Sequence, residues 1–300
     1  MKRIIAILLV FIITVFAFTS CKKEVNPADI DFGDDAVSVN GTENNQDTDG
    51  SVQDDGNVGV ENKDVGVMIS LPEGYTLVRF AWKLEENGIC SADDFIKEAQ
   101  EGDFSEFALV SEEPDDENIC FKLEGYLYPC TIEIDKQNDT PRTIIEKLLE
   151  AGESYITEEM RQQAKALGYS WHEILTVASI IEKEAFLDEQ RANIASVLYN
   201  RLDEGMQIQC DVTINYVTGV IEEIYPEKVD TLKYYYNTYR CEGLPAGPIC
   251  NPGIESIKAA LYPPETDYLF FAIQTEEPHD GLFAATYEEH VENCKTLGIY

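Results

Sequence analysis

The chain has 300 residues, of which 44% are hydrophobic and 26% charged, a length that admits one large domain or two modest ones. Asp and Glu number 57 against 22 Lys and Arg, a formal net charge of −35. A body this acidic is repelled by nucleic acid and by anionic membrane surfaces, which excludes nucleic acid as a partner.

Residues 1–20 read as a secretory signal: Lys2 and Arg3, an apolar run from Ile4 to Phe18, then small polar residues. "FTS" followed by Cys21 resembles a bacterial lipobox, in which Cys21 is lipidated and becomes the new N-terminus. The alternative is an uncleaved anchor helix, for which the apolar run is short. Either way the body is expected at the cell membrane, on its extracytoplasmic face. Residues 21–64 are rich in Asp, Asn, Gly and Glu without helical or strand period, and read as a disordered acidic tether. The eight cysteines form no CxxC motif. Cys241 and Cys250 flank one loop and are candidates for a disulfide in an exported protein. His172, His279 and His290 have no metal-ligand spacing.

Order is expected from Val65. Residues 65–117 predict a strand, a turn at "PEG", and two helices. The first carries Leu77, Phe80, Ala81 and Leu84 on one face, and the second is capped by Ser91. Residues 118–134 read as extended with a turn at Pro129. Helices follow near Pro141 and over "TEEMRQQAKALG". "SWHE" fits a capping box at Ser170. The helix it opens, "ILTVASIIEKEAF", is apolar nearly all round and therefore buried. A helix from Asp188 to Glu204 comes next, then "MQIQCDVTINYVTG" as loop and strand. A Gly/Pro-rich loop leads into the helix "IESIKAAL", "DYLFFAIQT" reads as a strand buried on both faces, and "TYEEHVENCKTLG" closes the chain as a helix. The fold class is α+β.

Glu182 and Glu184 continue apolar stripes on different sides of the buried helix, and spacing alone does not choose between them. A carboxyl in an apolar pocket can have its pKa raised to about 6 and hold a proton near neutral pH, as protonating a glycosidic oxygen requires. Aromatic, Asn and Asp side chains in the later loops suit a sugar cleft. No GxSxG, phosphate loop or HExxH is present, and nothing requires a metal or cofactor.

"ASIIEKEA", "RANIASVLYNRLDEGMQIQCDVTINYVTG" and "YNTYRCEGLPAGPICNPGIESIKAAL" together resemble the YceG-like family, the endolytic murein transglycosylases. "LEGYLYP" matches as well, and "LPEGYTL" resembles the family's LysM-like subdomain. The resemblance implies a LysM-like module over 65–117 and a mixed α+β catalytic domain over 118–300. It implies a lytic transglycosylase that cleaves the MurNAc–GlcNAc bond of nascent glycan strands to 1,6-anhydroMurNAc ends and so terminates elongation, with peptidoglycan synthases as partners. It assigns the acid to Glu182. Glu184, Asn200, Arg201, Gln209, Asp211, Thr213, Tyr236, Asn237 and Tyr239 are the substrate-binding or supporting residues. For several of these a structural role stands beside the functional one. Arg201 can pair with Glu184, Asp211 can shape a turn, and Asn237 can satisfy backbone. The chain departs from the family pattern at Cys210, Val212, "PCTI" (129–132) and Gly281. The competing readings are a non-catalytic peptidoglycan-binding lipoprotein, a muramidase-type hydrolase using Asp211 as second carboxylate, and a solute-binding lipoprotein.

Overall fold

The computed structural model describes residues 66–299. The signal peptide, Cys21 and the acidic tether lie outside the described residues.

Strand β1 (Val67–Leu71) alternates, with Ile69 and Leu71 turned into the core. Helix α1 (Leu77–Glu86) starts at Thr76, whose hydroxyl accepts the Arg79 N–H, and buries Leu77, Phe80, Ala81 and Leu84. Helix α2 (Ala92–Glu101) is capped by Ser91. Strand β2 (Cys130–Ile134) pairs antiparallel with β1, Val67 opposite Ile134 and Leu71 opposite Cys130. The first strand thus finds its partner past residue 118, and the order is strand, helix, helix, strand. The extended reading of 118–134 holds only for β2. Residues 122–127 are a series of turns, with Gly125 at φ +84°.

Helices α3 (Pro141–Tyr155) and α4 (Glu158–Leu167) lead to α5 (Trp171–Glu184), the spine of the molecule. The capping box forms as the sequence predicts: Glu173 N–H donates to Ser170 Oγ, and the Glu173 carboxylate accepts the Ser170 N–H at 2.8 Å. Ile174, Leu175, Val177, Ala178, Ile180 and Ile181 are fully enclosed by α4, α6 (Asp188–Asp203), α7 (Asp211–Tyr216) and α10 (Ile254–Leu261). Truncating one of these to alanine costs about 2–5 kcal/mol.

Residues 211–221 correct the strand expectation. They form α7 and then one π turn at Val217–Ile221. The buried positions Thr213, Tyr216, Val217 and Ile221 follow a helical period, and this overrides the strand preference of the β-branched residues. A helical turn, α8 (Glu222–Ile224), a 3₁₀ turn and α9 (Val229–Tyr236) follow. β3 (Phe270–Ile273) pairs only with β4 (Gly281–Ala284) in a surface hairpin backed by α11 (Tyr287–Thr296). Of β3 only Ala272 is buried, so the strand is not covered on both faces. One apolar cluster runs from β1 to α10 and joins the segments on either side of residue 118. Cys241 and Cys250 are free thiols, like the other cysteines among the described residues.

Candidate active site

The end of α5 sends its two glutamates to opposite surroundings. Glu182 Oε2 accepts from Ser256 Oγ at 2.5 Å and from the Gly253 N–H at 3.3 Å. Gly253 is the N-cap of α10 and has no side chain to do this. Glu182 therefore supplies the capping acceptor and the negative charge that a helix N-terminus favours. Arg191 Nε donates to the same Ser256 hydroxyl at 3.0 Å. Glu73, from the turn after β1, lies across Gly253, where a Cβ would come within 2.2 Å of its carboxyl carbon. Partial burial, and then the charge of Glu182, raises the Glu73 pKa against the pull of Arg191. This corner fastens α5, α6 and α10 to the first turn of the described chain.

Glu184 meets different groups. Desolvation pushes its carboxyl up to about 7; the Cys210 thiol pulls the other way, and the charge of Asp211 adds to the rise. Asp211 opens α7 and is exposed; its Oδ1 accepts from Tyr239 Oη at 2.8 Å. Tyr239 is 40% exposed and its hydroxyl is pushed up to about 12, by burial first and then by Asp211. Gln209 is also exposed, at φ +58°, with its backbone N–H on the Thr238 carbonyl. The Glu184 carboxyl, pushed up to about 7, thus stands beside an open rim of Gln209, Asp211 and Tyr239.

Comparison with known proteins settles the family. The model of the YceG-like family matches residues 51–296. The chain belongs to the YceG-like family. It is 34% identical over 229 residues to the endolytic murein transglycosylase of Bacillus subtilis (strain 168), covering 74% of this chain and 62% of that one. It is 29% identical over 242 residues to the endolytic murein transglycosylase of Streptococcus pneumoniae serotype 2 (strain D39 / NCTC 7466), covering 75% and 43%. The chain thus spans less than two-thirds of the length of these curated relatives. The crystal structure of a yceG-like protein from Listeria monocytogenes superposes with a TM-score of 0.64 at 34% identity, covering 76% of this chain and 75% of that one.

Several positions of this YceG-like chain that the sequence offered as substrate-binding or supporting are engaged within the fold. Asn200 Nδ2 donates to the carbonyls of Thr266 and Tyr268 at 3.0 and 2.9 Å. Arg201 donates to the carbonyls of Leu269, Gln207 and Ile208 and to Gln209 Oε1, with its guanidinium 5.0 Å above the Phe270 ring. The pair staples the approach to β3 onto α6, and Arg201 is spent on carbonyls, not on Glu184. Thr213 is fully buried and donates to the Cys210 carbonyl at 2.8 Å. Tyr236 is 1% exposed; its hydroxyl accepts the Cys120 N–H, so it does not reach a cleft. Asn237 Oδ1 accepts the Tyr239 N–H and orients that ring's turn. Glu184, Gln209, Asp211 and Tyr239 come together; Glu182 is engaged at the start of α10, and Asn200, Arg201, Thr213 and Tyr236 are held by contacts within the fold.

The sequence does not mark Ser256 within "IESIKAAL", and it matches Glu124 and Asn251 to family motifs without giving the buried pair a role. Glu124 Oε1 accepts from the Leu77 N–H at 2.8 Å and from Asn251 Nδ2 at 3.3 Å, and its Oε2 accepts from Tyr216 Oη at 3.0 Å. Asn251 in turn holds the Gly125 and Leu127 N–H groups. The "EG" and "NPG" stretches are the visible signal for this lock. Among the described residues no cluster of His, Cys, Asp and Glu could hold a metal ion.

Proposed function

We propose that this chain is an endolytic peptidoglycan lytic transglycosylase and that Glu184, not Glu182, is its acid and base. The arrangement that carries the assignment is the desolvated setting of Glu184, which pushes its carboxyl up to about 7 beside the exposed Gln209, Asp211 and Tyr239, while Glu182 is occupied as the cap of α10. The names of the curated relatives support the reaction class.

In this reaction Glu184 gives its proton to the glycosidic oxygen between MurNAc and GlcNAc as the C1–O bond breaks. The MurNAc 6-hydroxyl attacks C1, and its proton passes to the Glu184 carboxylate. The product is a 1,6-anhydro ring, no water is consumed, and the acid is restored. One carboxyl performs both transfers, where a hydrolase uses two. Tyr239, Asp211 and Gln209 bind sugar hydroxyls. Asp211 beside Glu184 favours one alternative, a muramidase in which Asp211 activates water or the sugar carbon.

The β1–α1–α2–β2 unit supports a LysM-like module that takes its closing strand from β2. We further infer lipidation at Cys21, attachment to the extracytoplasmic face of the cell membrane, termination of nascent strands, and work beside peptidoglycan synthases.

Uncrosslinked glycan strands incubated with the full-length protein test the reaction. Internal cuts with ends lighter by one water than hydrolysed ends are expected. Hydrolysed ends would move the assignment to the muramidase, and intact strands with a folded protein to a binding lipoprotein.

A further inference from the structure

Phe186 follows Glu184 by two residues, in the link from α5 to α6, where Ala185 (ψ 124°) and Leu187 (ψ 146°) are extended. Two residues of extended chain span at most about 7 Å, so this ring starts close to the acid. It is a large apolar side chain, yet it is 49% exposed. The ring lies on the His279 imidazole, with centroids 4.6 Å apart and planes 7° from parallel. One face is thereby covered, and the exposure falls on the edge and on the outer face.

Gln190, itself 4% exposed, holds both halves of the stack. Its Oε1 accepts the N–H groups of Phe186 and Leu187, each at 3.0 Å, and its Nε2 donates to the His279 carbonyl at 2.6 Å. Gly281, where the chain departs from the family pattern, leaves this amide its room: a Cβ there would come within 3.1 Å of Gln190 Nε2. His279 has φ +60°, a conformation that costs a residue with a side chain and that clusters at ligand sites. Its backbone N–H donates to the Glu276 carbonyl at 2.9 Å, and its Nδ1–H donates to the Gln274 carbonyl at 3.3 Å. The imidazole is thus fixed in orientation and sets the plane of the Phe186 ring from beneath.

We propose that Phe186 is a sugar-stacking platform, on whose outer face a pyranose ring of the bound glycan strand rests, and that His279 is the positioning residue that holds it flat. The inference rests on the reading of the chain as an enzyme of glycan strands. It does not depend on which glutamate is the acid, since Phe186 follows both Glu182 and Glu184 within four residues. The face of an aromatic ring is electron-rich, and β-linked GlcNAc and MurNAc rings present axial C–H groups on both faces that suit it. Gln209, Asp211 and Tyr239 offer polar contacts to hydroxyls, and Phe186 supplies the apolar contact that a sugar ring also needs.

The test is steady-state cleavage of uncrosslinked glycan strands by full-length wild type, F186L, F186W, H279N and the F186L/H279N double variant. Leucine keeps the apolar bulk and removes the aromatic face. Asparagine tolerates the left-handed backbone, keeps the carbonyl that Gln190 holds and removes the imidazole. F186L is expected to raise KM roughly threefold to tenfold, about the worth of an offset aromatic pair, and to change kcat less, while F186W stays near wild type. H279N should raise KM by itself and add nothing in the F186L background, because its effect passes through the ring. If wild type cuts strands and F186L keeps its KM, the platform is overturned and the reaction stands. If wild type leaves strands intact, the reaction reading fails and calorimetric binding of the strands decides. Weaker binding by F186L would then uphold the platform, and equal affinity or no binding would overturn it.

Discussion

At the scale of single residues, the assignment turns on two glutamates separated by one lysine. On a helix, two positions are about 200° apart, so Glu182 and Glu184 must face different neighbours. Glu182 meets donors that use its lone pairs, and Glu184 is desolvated and meets the like charge of Asp211. The second environment favours the protonated form that an acid needs. The expected consequence is a pH dependence. Activity should be full on the acid side and decline as pH rises through about 7, because the acid then enters the reaction already deprotonated. A profile that rises through neutrality would exclude Glu184 as the proton donor. The same raised pKa should make Glu184→Gln more stable than wild type at alkaline pH, because the buried charge is gone; thermal melts at pH 6 and pH 9 would show it.

At the scale of elements, two carboxylates hold helix ends together. Glu182→Gln keeps one acceptor oxygen for α10 but removes the charge, and should cost about 0.5–2 kcal/mol, read by urea unfolding. Glu124 joins the first turn of α1 to Tyr216 of α7 and to Asn251. Burial raises its pKa from 4.5 to about 8, so the folded state binds the proton more tightly than the unfolded state does. Its contribution is full below about 4.5 and is lost as pH rises toward about 8; Glu184 adds a slope of the same sign. In Glu124→Gln the carbonyl oxygen can serve Leu77 and Asn251 and the amide can donate to Tyr216. The stability–pH slope between these values should flatten in that variant. An unchanged slope would show that Glu124 is not the titrating group.

The elements also show what local sequence carries. Ser170 and Glu173 announced the start of α5, and the all-round apolar run announced its burial, because both signals lie within one helix. The helical spacing of Thr213, Tyr216, Val217 and Ile221 was equally present, but β-branched neighbours masked it and the segment read as a strand. The choice between Glu182 and Glu184 was not legible. The hydroxyl that occupies Glu182 comes from Ser256, 74 residues further on, and the charge of Asp211 that raises the Glu184 carboxyl comes from a separate helix. Asn200 and Arg201 stayed open between substrate-binding and supporting roles for the same reason: the carbonyls of Thr266, Tyr268 and Leu269 that they bind belong to a segment beyond residue 265. Family likeness pointed to a neighbourhood, and the roles within it depend on contacts between distant elements.

At the scale of the whole molecule, β1 is part of the body and not the head of a separate unit. Its hydrogen-bonding partner is β2, and its inward side chains share one apolar cluster with α5 and α10. A fragment of residues 65–117 would leave β1 unpaired and the inner faces of α1 and α2 uncovered. It should show no cooperative thermal transition by circular dichroism. A sigmoidal melt from that fragment would mean that the N-terminal segment folds alone. The turn that carries Glu73 and Gly74 reaches Gly253 and Glu182, so this segment also braces the corner that backs the acid.

The most direct test of the central claim compares Glu184→Gln with Glu182→Gln in the full-length protein, both confirmed folded, on uncrosslinked glycan strands with products weighed by mass spectrometry. The account requires E184Q to lose about 10²–10⁴-fold in rate and E182Q to keep cutting strands to anhydro ends while unfolding more easily. The reverse pattern, an inactive E182Q beside an active E184Q, would return the acid to Glu182 and contradict the account.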